Sequence, residues 1–489
     1  MRAALALMLP AALGAVLAAC TLAPRYQPPP TLAVARFKEA GDWLPARPAD
    51  TVPRGTWWGV FHDATLDELE GRLTQENPSV RAAVGRLDQA LAIALQARSS
   101  TLPTVGADAS ATRERVSANA PLAGVFGNKS VTYNDFMGEL QFSWEIDVFG
   151  RLRSALAAAR AEAQASAGDL AAVTLTLQAQ LATDYFSLRG DDADMTLLED
   201  TVRDYDRAYE LTHNRYDEGI AAATDVDQAD TLRQSARAQL AAVRLQRAEL
   251  EHAIAVLVGE APSDFSLAAG PLAAAPPRID PGLPSTLLER RPDVASAERA
   301  VAAANAEIGV ARAAWFPVFS LSSAAGFEST VASSWFKAPS ELWSVGPGVE
   351  LPLLDAGARL AQNRAAWAEY RQAVASYRGI TLTAYQEVED NLAALHHLAD
   401  ELAADQAAAR SALSSAHHAD ERYVAGVADY VEVTTTHTAA LQAQRDALGV
   451  RVLELNAAVA LVRATGGGWS REQLDPPAAA VAAAARSEP

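Results

Sequence analysis

The chain has 489 residues, is 50% hydrophobic but only 7% aromatic, and carries a formal net charge of −19. That acidity excludes a nucleic-acid partner, which needs a basic footprint, and it suits a soluble periplasmic body without selecting a function. Cys20 is the sole cysteine, so intrachain disulfides and metal sites built on thiolates are excluded.

Arg2 supplies a positive start, Ala3 to Val16 form a short apolar run interrupted by Pro10, and Leu17-Ala18-Ala19-Cys20 reads as a lipobox. The run is too short for a membrane span and reads as a signal peptide over residues 1–19. Cys20 is then the lipid acceptor, since the only thiol sits where an acyl chain must attach. The alternative is ordinary cleavage beside an incidental cysteine. Thr21, in place of an aspartate, resembles the outer-membrane sorting choice of bacterial lipoproteins. Residues 20–60 then form a lipid-anchored, proline-punctuated irregular segment.

From there the chain repeats itself. Asn77-Pro78-Ser79-Val80 opens an alanine-rich helical stretch closing at Leu102-Pro103, and Arg291-Pro292-Asp293-Val294 opens one closing at Phe316-Pro317. The matching prolines are 214 positions apart (292 − 78 and 317 − 103). Arg215-Tyr216-Asp217-Glu218-Gly219 matches Arg422-Tyr423-Val424-Ala425-Gly426 at an offset of 207 (422 − 215). The difference places an insertion in the first copy, in the Gly124–Ser130 loop. Two tandem units follow, over 61–261 and 285–469. A proline-rich connector joins them over 262–284, and a tail over 470–489 reads as disordered.

Within each unit, apolar residues recur at helical spacing with coiled-coil character, as in Leu170, Val173, Leu177, Leu181, Tyr185 and Leu188. A helix from about Arg153 to Asn214 would span on the order of 90 Å. The chain turns back after each RYxxG element, whose glycine can adopt the left-handed conformation that reverses it. Each unit therefore contains a long helical hairpin with RYxxG at its tip.

Just before each long helix the period changes to two. Phe136, Leu140, Phe142, Trp144 and Ile146 alternate with polar residues, as do Trp343, Val345, Val349 and Leu351. Strands are expected over about 104–116, 135–148, 318–328 and 342–352, the length a tilted transmembrane strand needs. Four strands leave two open edges, which lipid cannot satisfy. A closed barrel with a passage needs about twelve strands, hence three chains. The fold class expected is mostly α with a β-barrel part, assembled as a homotrimer on a helical tunnel. The polar residues Glu139, Glu145, Asp147 and Glu350 are expected to line the barrel lumen.

These marks resemble the outer-membrane efflux family typified by TolC, in its lipid-anchored, OprM-like or NodT-like branch. The resemblance rests on the lipobox, Trp57-Trp58-x-x-Phe61-x-Asp63, Asn77-Pro78, the paired RYxxG tips and Gly466-Gly467-Gly468-Trp469. It implies a trimeric exit duct in the outer membrane, docked on a periplasmic adaptor and an inner-membrane pump, commonly of the proton-driven RND type. It places a periplasmic gate just past the tips, at Asp225, Glu432, Tyr423 and Thr435. Tyr423 matches a tyrosine that in some relatives bonds across to the position of Asp225. The chain departs from the family at Ala428, where TolC has an arginine, and at Thr435, where many members have an aspartate. Arg215, Tyr216, Gly219, Arg422 and Gly426 stand as adaptor contacts, with helix capping by the arginines and seam packing by the tyrosines as alternatives. The alternative for Asp225 is a first-turn helix acid favoured by the macrodipole.

No phosphate loop, HExxH or nucleophile elbow occurs, so the chain reads as no enzyme and needs no cofactor. The pairs His396-His397 and His417-His418 are expected to split between helix faces, as solvated residues. Rival readings are a type I protein-secretion duct, a structural trimeric coiled-coil surface protein, and a diffusion porin.

Overall fold

The computed structural model describes residues 22–30, 37–40, 56–119, 127, 129–272, 276–277 and 290–474. Cys20 and the signal segment, most of the Gly124–Ser130 loop and part of the connector lie outside the described residues.

Helix starts follow local chemistry. α1 (Ala64–Glu76) begins at Asp63, whose carboxylate accepts the backbone N–H groups of Thr65 and Leu66 at 3.0 and 3.1 Å. α2 (Pro78–Ser99) begins at Asn77 in the same way, with Pro78 in the first turn, where no donor is needed. The long helices α3 (Arg151–Asp217) and α6 (Ala358–Val424) each have 67 residues, on the order of 100 Å. Their returning partners α4 (Ala223–Leu257) and α7 (Tyr430–Ala464) each have 35. α2 and α5 (Pro292–Ala313) each have 22. The equal lengths express the tandem repeat in three dimensions.

The strands β1 (Thr104–Val116), β2 (Val131–Ile146), β3 (Val318–Ser329) and β4 (Glu341–Glu350) form one antiparallel sheet in the order β1-β2-β3-β4. The β2–β3 ladder, from Phe136 opposite Ser329 to Ile146 opposite Phe319, joins the two repeats. β2 starts earlier than 135 and stops before Asp147, because that carboxylate is drawn into the start of α3. The register places Val105, Leu140, Phe142, Leu321, Val345 and Trp343 on one face. Trp343 is 77% exposed and Val345 64%. A row of apolar side chains this bare needs lipid or protein to cover it. Among the described residues no helix is long and apolar enough to cross a membrane.

The main core sits far from the sheet, around the middle of α3. There Leu181, Tyr185, Phe186 and Leu188 meet Trp57, Leu66 and Leu73 from the N-terminal side, and Leu455 and Leu461 from α7. The Trp57 indole donates to Gln178 at 3.2 Å, and the Tyr185 hydroxyl donates to Asp63 at 2.7 Å. The WWxxFxD and GGGW marks are thus parts of this girdle: Gly466 has φ +95°, and a Cβ there would stand 2.0 Å from the Arg290 carbonyl oxygen. The tail expected to be disordered from 470 begins instead with a 3-10 turn, Arg471–Leu474, with Leu474 buried against Ala295 and Trp469.

Glu70 is wholly buried in the girdle with neither carboxylate oxygen bonded, and burial, with nearby Asp67 second, raises its pKa to about 9. A folded-state pKa above the unfolded one makes the acid bind its proton more tightly when folded, so stability falls as pH rises from about 4.5 toward 9. Replacing Glu70 with Gln should remove that slope. Thermal unfolding should show the variant gaining by ~3 kcal/mol at pH 7 relative to its difference at pH 4; identical slopes in both proteins would contradict it.

Candidate functional site

Two regions bring together the residues singled out from sequence: the hairpin tips, and the base of the sheet. At the first tip, Gly219 takes φ +74° and the N–H of Ile220 reaches back to the Arg215 carbonyl at 2.8 Å. The second tip copies it, with Gly426 at φ +73° and the Val427 N–H on the Arg422 carbonyl at 3.0 Å. The turn closes α3 and α6 on their own last carbonyls.

The side chains at the tips are mutually engaged. The Arg422 guanidinium donates to Glu432 at 2.5 Å, across the turn from α6 to α7. Arg215 lies over the Tyr423 ring, 4.8 Å from its centroid, and Tyr423 meets Tyr430 edge-on at 5.1 Å. These rings form a small buried cluster with Ala229, Ala419 and Val433. Burial, with Tyr423 next, pushes the Tyr430 hydroxyl up to about 12. Asp225, in the first turn of α4, accepts the Ala222 N–H at 3.4 Å. Thr435 is exposed and its hydroxyl donates to the Val431 carbonyl at 2.8 Å. Tyr216 is exposed.

The bond from Tyr423 to the position of Asp225 is not made within the chain: the Tyr423 hydroxyl is buried and has no hydrogen-bond partner. Leaving it unpaired costs on the order of 1–3 kcal/mol, which the ring contacts of Arg215 and Tyr430 offset. Sequence reasoning missed Tyr430 and the Arg422–Glu432 pair. Tyr430 opens α7 as an aromatic two residues before Glu432, and that is the signal in the sequence that marks it.

In the sheet, Glu139, midway along β2, and Glu350, at the end of β4, lie on the face opposite the apolar row, with Asp108 level with Glu139 across the ladder. Gln141 donates to Glu139 at 2.6 Å. Glu145 shares that face but is gripped by Arg151 through two bonds of 3.0 and 2.6 Å. Asp147 stands past the strand end and caps α3, accepting from the N–H groups of Leu152 and Arg153 at 3.2 and 2.9 Å. Its expected place in the strand is therefore corrected: four orphan N–H groups at the start of a long helix compete for it. The second repeat does the same with Asp355, which accepts from Arg359 through backbone and side chain at 3.1 and 2.5 Å.

The expectation that adjacent histidines face apart also needs correction. His396, His397 and Asp400 bring one ligand atom each within 4.8 Å, all exposed on α6, because i and i+4 share a face. They are the described residues best arranged to chelate a divalent ion.

A single-layer sheet with a bare apolar face, standing on helical hairpins of this length, defines a membrane-inserted duct rather than an enzyme. The model of the outer membrane efflux protein family matches residues 69–260 and again 283–467, and the chain belongs to that family. It is 32% identical over 480 residues to the probable efflux pump outer membrane protein SepC of Pseudomonas putida, covering 95% of this chain and 97% of that one. It is 30% identical to the pyoverdine export outer membrane protein OpmQ of Pseudomonas aeruginosa, over 88% of this chain and 91% of the relative. Among solved structures, the outer-membrane channel OprN superposes with a TM-score of 0.85 at 29% identity, over 92% of this chain and all of that one. The open state of the MtrE channel of Neisseria gonorrhoeae gives 0.79 at 26% identity, over 92% and 99%. The protein is an outer-membrane efflux channel, with a helical tunnel carrying a β-barrel.

A side chain at Gly219 or Gly426 would be forced into the left-handed region, at roughly 1–2 kcal/mol per site. In the variants Gly219→Val and Gly426→Val, the amides of Ile220 and Val427 should exchange with deuterium about 5–30 times faster, while girdle amides stay as in the wild type. Unchanged exchange at both tips would mean that the turns are not what holds the hairpins.

Proposed function

We propose that this channel is the exit duct of a tripartite efflux machine, meeting a periplasmic adaptor and an inner-membrane pump of the RND type, and carrying small molecules outward. What supports it most is the pairing of an edge-open transmembrane sheet with two matched helical tips on the order of 100 Å away, at the end where an adaptor can reach. The names of the relatives, which include pumps for toluene and an exporter of pyoverdine, agree with a small-molecule cargo. Type I protein secretion finds no such support.

The gate is assigned to the tips. Asp225 and Glu432 stand in the first turns of the two returning helices, at equivalent places in the repeat. Three copies about one axis would gather these carboxylates around a narrow opening, favouring cations and holding anionic solutes back. Arg422 tethers Glu432 to the outgoing helix, and Tyr423 and Tyr430 lock the two hairpins together beneath it. Opening would require this tyrosine–arginine cluster to shift, through adaptor contact at Arg215, Tyr216, Arg422 and the tip glycines Gly219 and Gly426. Thr435, one turn further on, takes the place of a second acidic layer. Glu139 and Glu350 would line the wider barrel above, where screening weakens them.

Lipid attachment at Cys20 is supported by where the chain emerges. The Leu22 carbonyl accepts a bond of 3.2 Å from Arg312, six residues before β3 begins. Leu22 is two residues after Cys20 in the sequence, so the described chain begins near the base of the sheet, the side from which acyl chains could enter the leaflet.

In planar bilayers, Asp225→Ala combined with Glu432→Ala should raise single-channel conductance and lower cation preference several-fold, while Glu139→Ala changes little; an unaltered double variant would reduce both acids to helix caps. Feeding cells a tagged fatty acid should label the wild type and leave Cys20→Ser blank, and label on the serine variant would refute the anchor.

A further inference from the structure

Beside the strap formed by residues 23–26 lies a cavity of about 710 Å³, walled otherwise by the first turns of α3 and the middle of α5. Four arginines line it, Arg25, Arg153, Arg160 and Arg299, and among the described residues no carboxylate does. In a chain of net charge −19 this is a local reversal of sign. Two of the four are already neutralised, Arg153 by Asp147 and Arg299 by Glu298 at 2.6 Å. Among the described residues Arg25 and Arg160 have no ion-pair partner, and both are exposed. Two guanidinium groups with no ion-pair partner among the described residues make a donor set for an oxyanion with several oxygens.

The position of the cavity identifies the anion. β2 ends at Ile146 and α3 starts at Arg151, so Arg153 lies in the first turn below the barrel. Arg160 follows about 14 Å from the start of the helix. Side chains on a helix lean toward its N-terminus, which here is the membrane side. The strap is pinned alongside: Arg312 holds the Leu22 carbonyl, and Asn305 holds the Pro24 carbonyl at 2.9 Å. The remaining wall is small and apolar, with Ala157, Ala161, Ala302 and Ala306. The cavity thus opens where phosphate groups of the periplasm-facing leaflet lie, with an apolar wall fit for the glycerol and upper acyl chain.

We propose that this cavity holds the headgroup phosphate of an anionic phospholipid, with Arg25 and Arg160 as the phosphate-binding residues. It rests on the outer-membrane location alone, and stands whether or not the tip gate does. The bound lipid would seal the seam between strap and helices just below the barrel. Free inorganic phosphate shares the recognising chemistry, so the test must separate the two.

The full-length protein, stripped of loose lipid in mild detergent, is offered vesicles of phosphatidylglycerol or of phosphatidylcholine, and retained lipid is counted per complex by native mass measurement. Acyl chains at Cys20 are covalent and add a constant mass, so they do not interfere. Phosphatidylglycerol should be retained and phosphatidylcholine not. Arg25→Gln with Arg160→Gln should cut retention about tenfold, and Arg160→Lys, which keeps the charge but loses the planar fork, should lose only part. An unchanged thermal midpoint in the lysine variant shows that the loss is not unfolding. Equal retention of both lipids, or full retention by the double glutamine variant, would overturn the proposal. Displacement of the lipid by inorganic phosphate at equal concentration would assign a free-anion site and overturn it equally.

Discussion

Everything in this molecule depends on two unpaired strand edges. β1 and β4 each carry a row of backbone N–H and C=O groups with no partner strand among the described residues, and the apolar face between them leaves only lipid as its solvent. In hydrocarbon each such group costs several kcal/mol. A sheet of four strands cannot curl far enough to close on itself. The edges must therefore find the edges of other copies, and the oligomer is a condition of membrane insertion rather than a later association. The long helices inherit their symmetry from that closure.

The girdle solves a different problem. Helices of 67 residues need a place where their relative rotation is set, and a coiled-coil seam of alanines does little to set it. Large side chains are concentrated where α1, α3 and α7 meet, and polar anchors such as Tyr185 on Asp63 and Arg291 on the Ala464 carbonyl fix the register. From there to the tips the packing thins to small clusters. A stiff middle with lightly packed ends places the least stable part of the tunnel at its tips.

The architecture was legible in the sequence because its signals are local or periodic. Proline and RYxxG marks at fixed offsets exposed the duplication, and the change of period from 3.6 to two located the strands to within a few residues. Site detail was less legible where it depends on segments distant in the chain. Nothing near Glu432 announces Arg422, ten residues earlier across a turn, and nothing near Tyr423 shows that its hydroxyl will be buried without a partner. Asp147 read as one more alternating strand residue, because alternation cannot tell a lumen acid from a helix cap one residue beyond the last ladder pair. The basic cavity joins residues 25 and 160, so no window along the sequence contains it.

The claim that chains close edge to edge is tested most directly by cross-linking β1 to β4. Cysteines are placed singly at Val105, Ala107 or Ala109 on β1 and at Trp343, Val345 or Val349 on β4, a set being needed because barrel shear shifts the register between chains. Mild oxidation in membranes should give covalent species of two and three chains and nothing larger, and only when both strands carry a cysteine. A product confined to single chains, or a ladder continuing past three, would contradict the closed three-chain barrel.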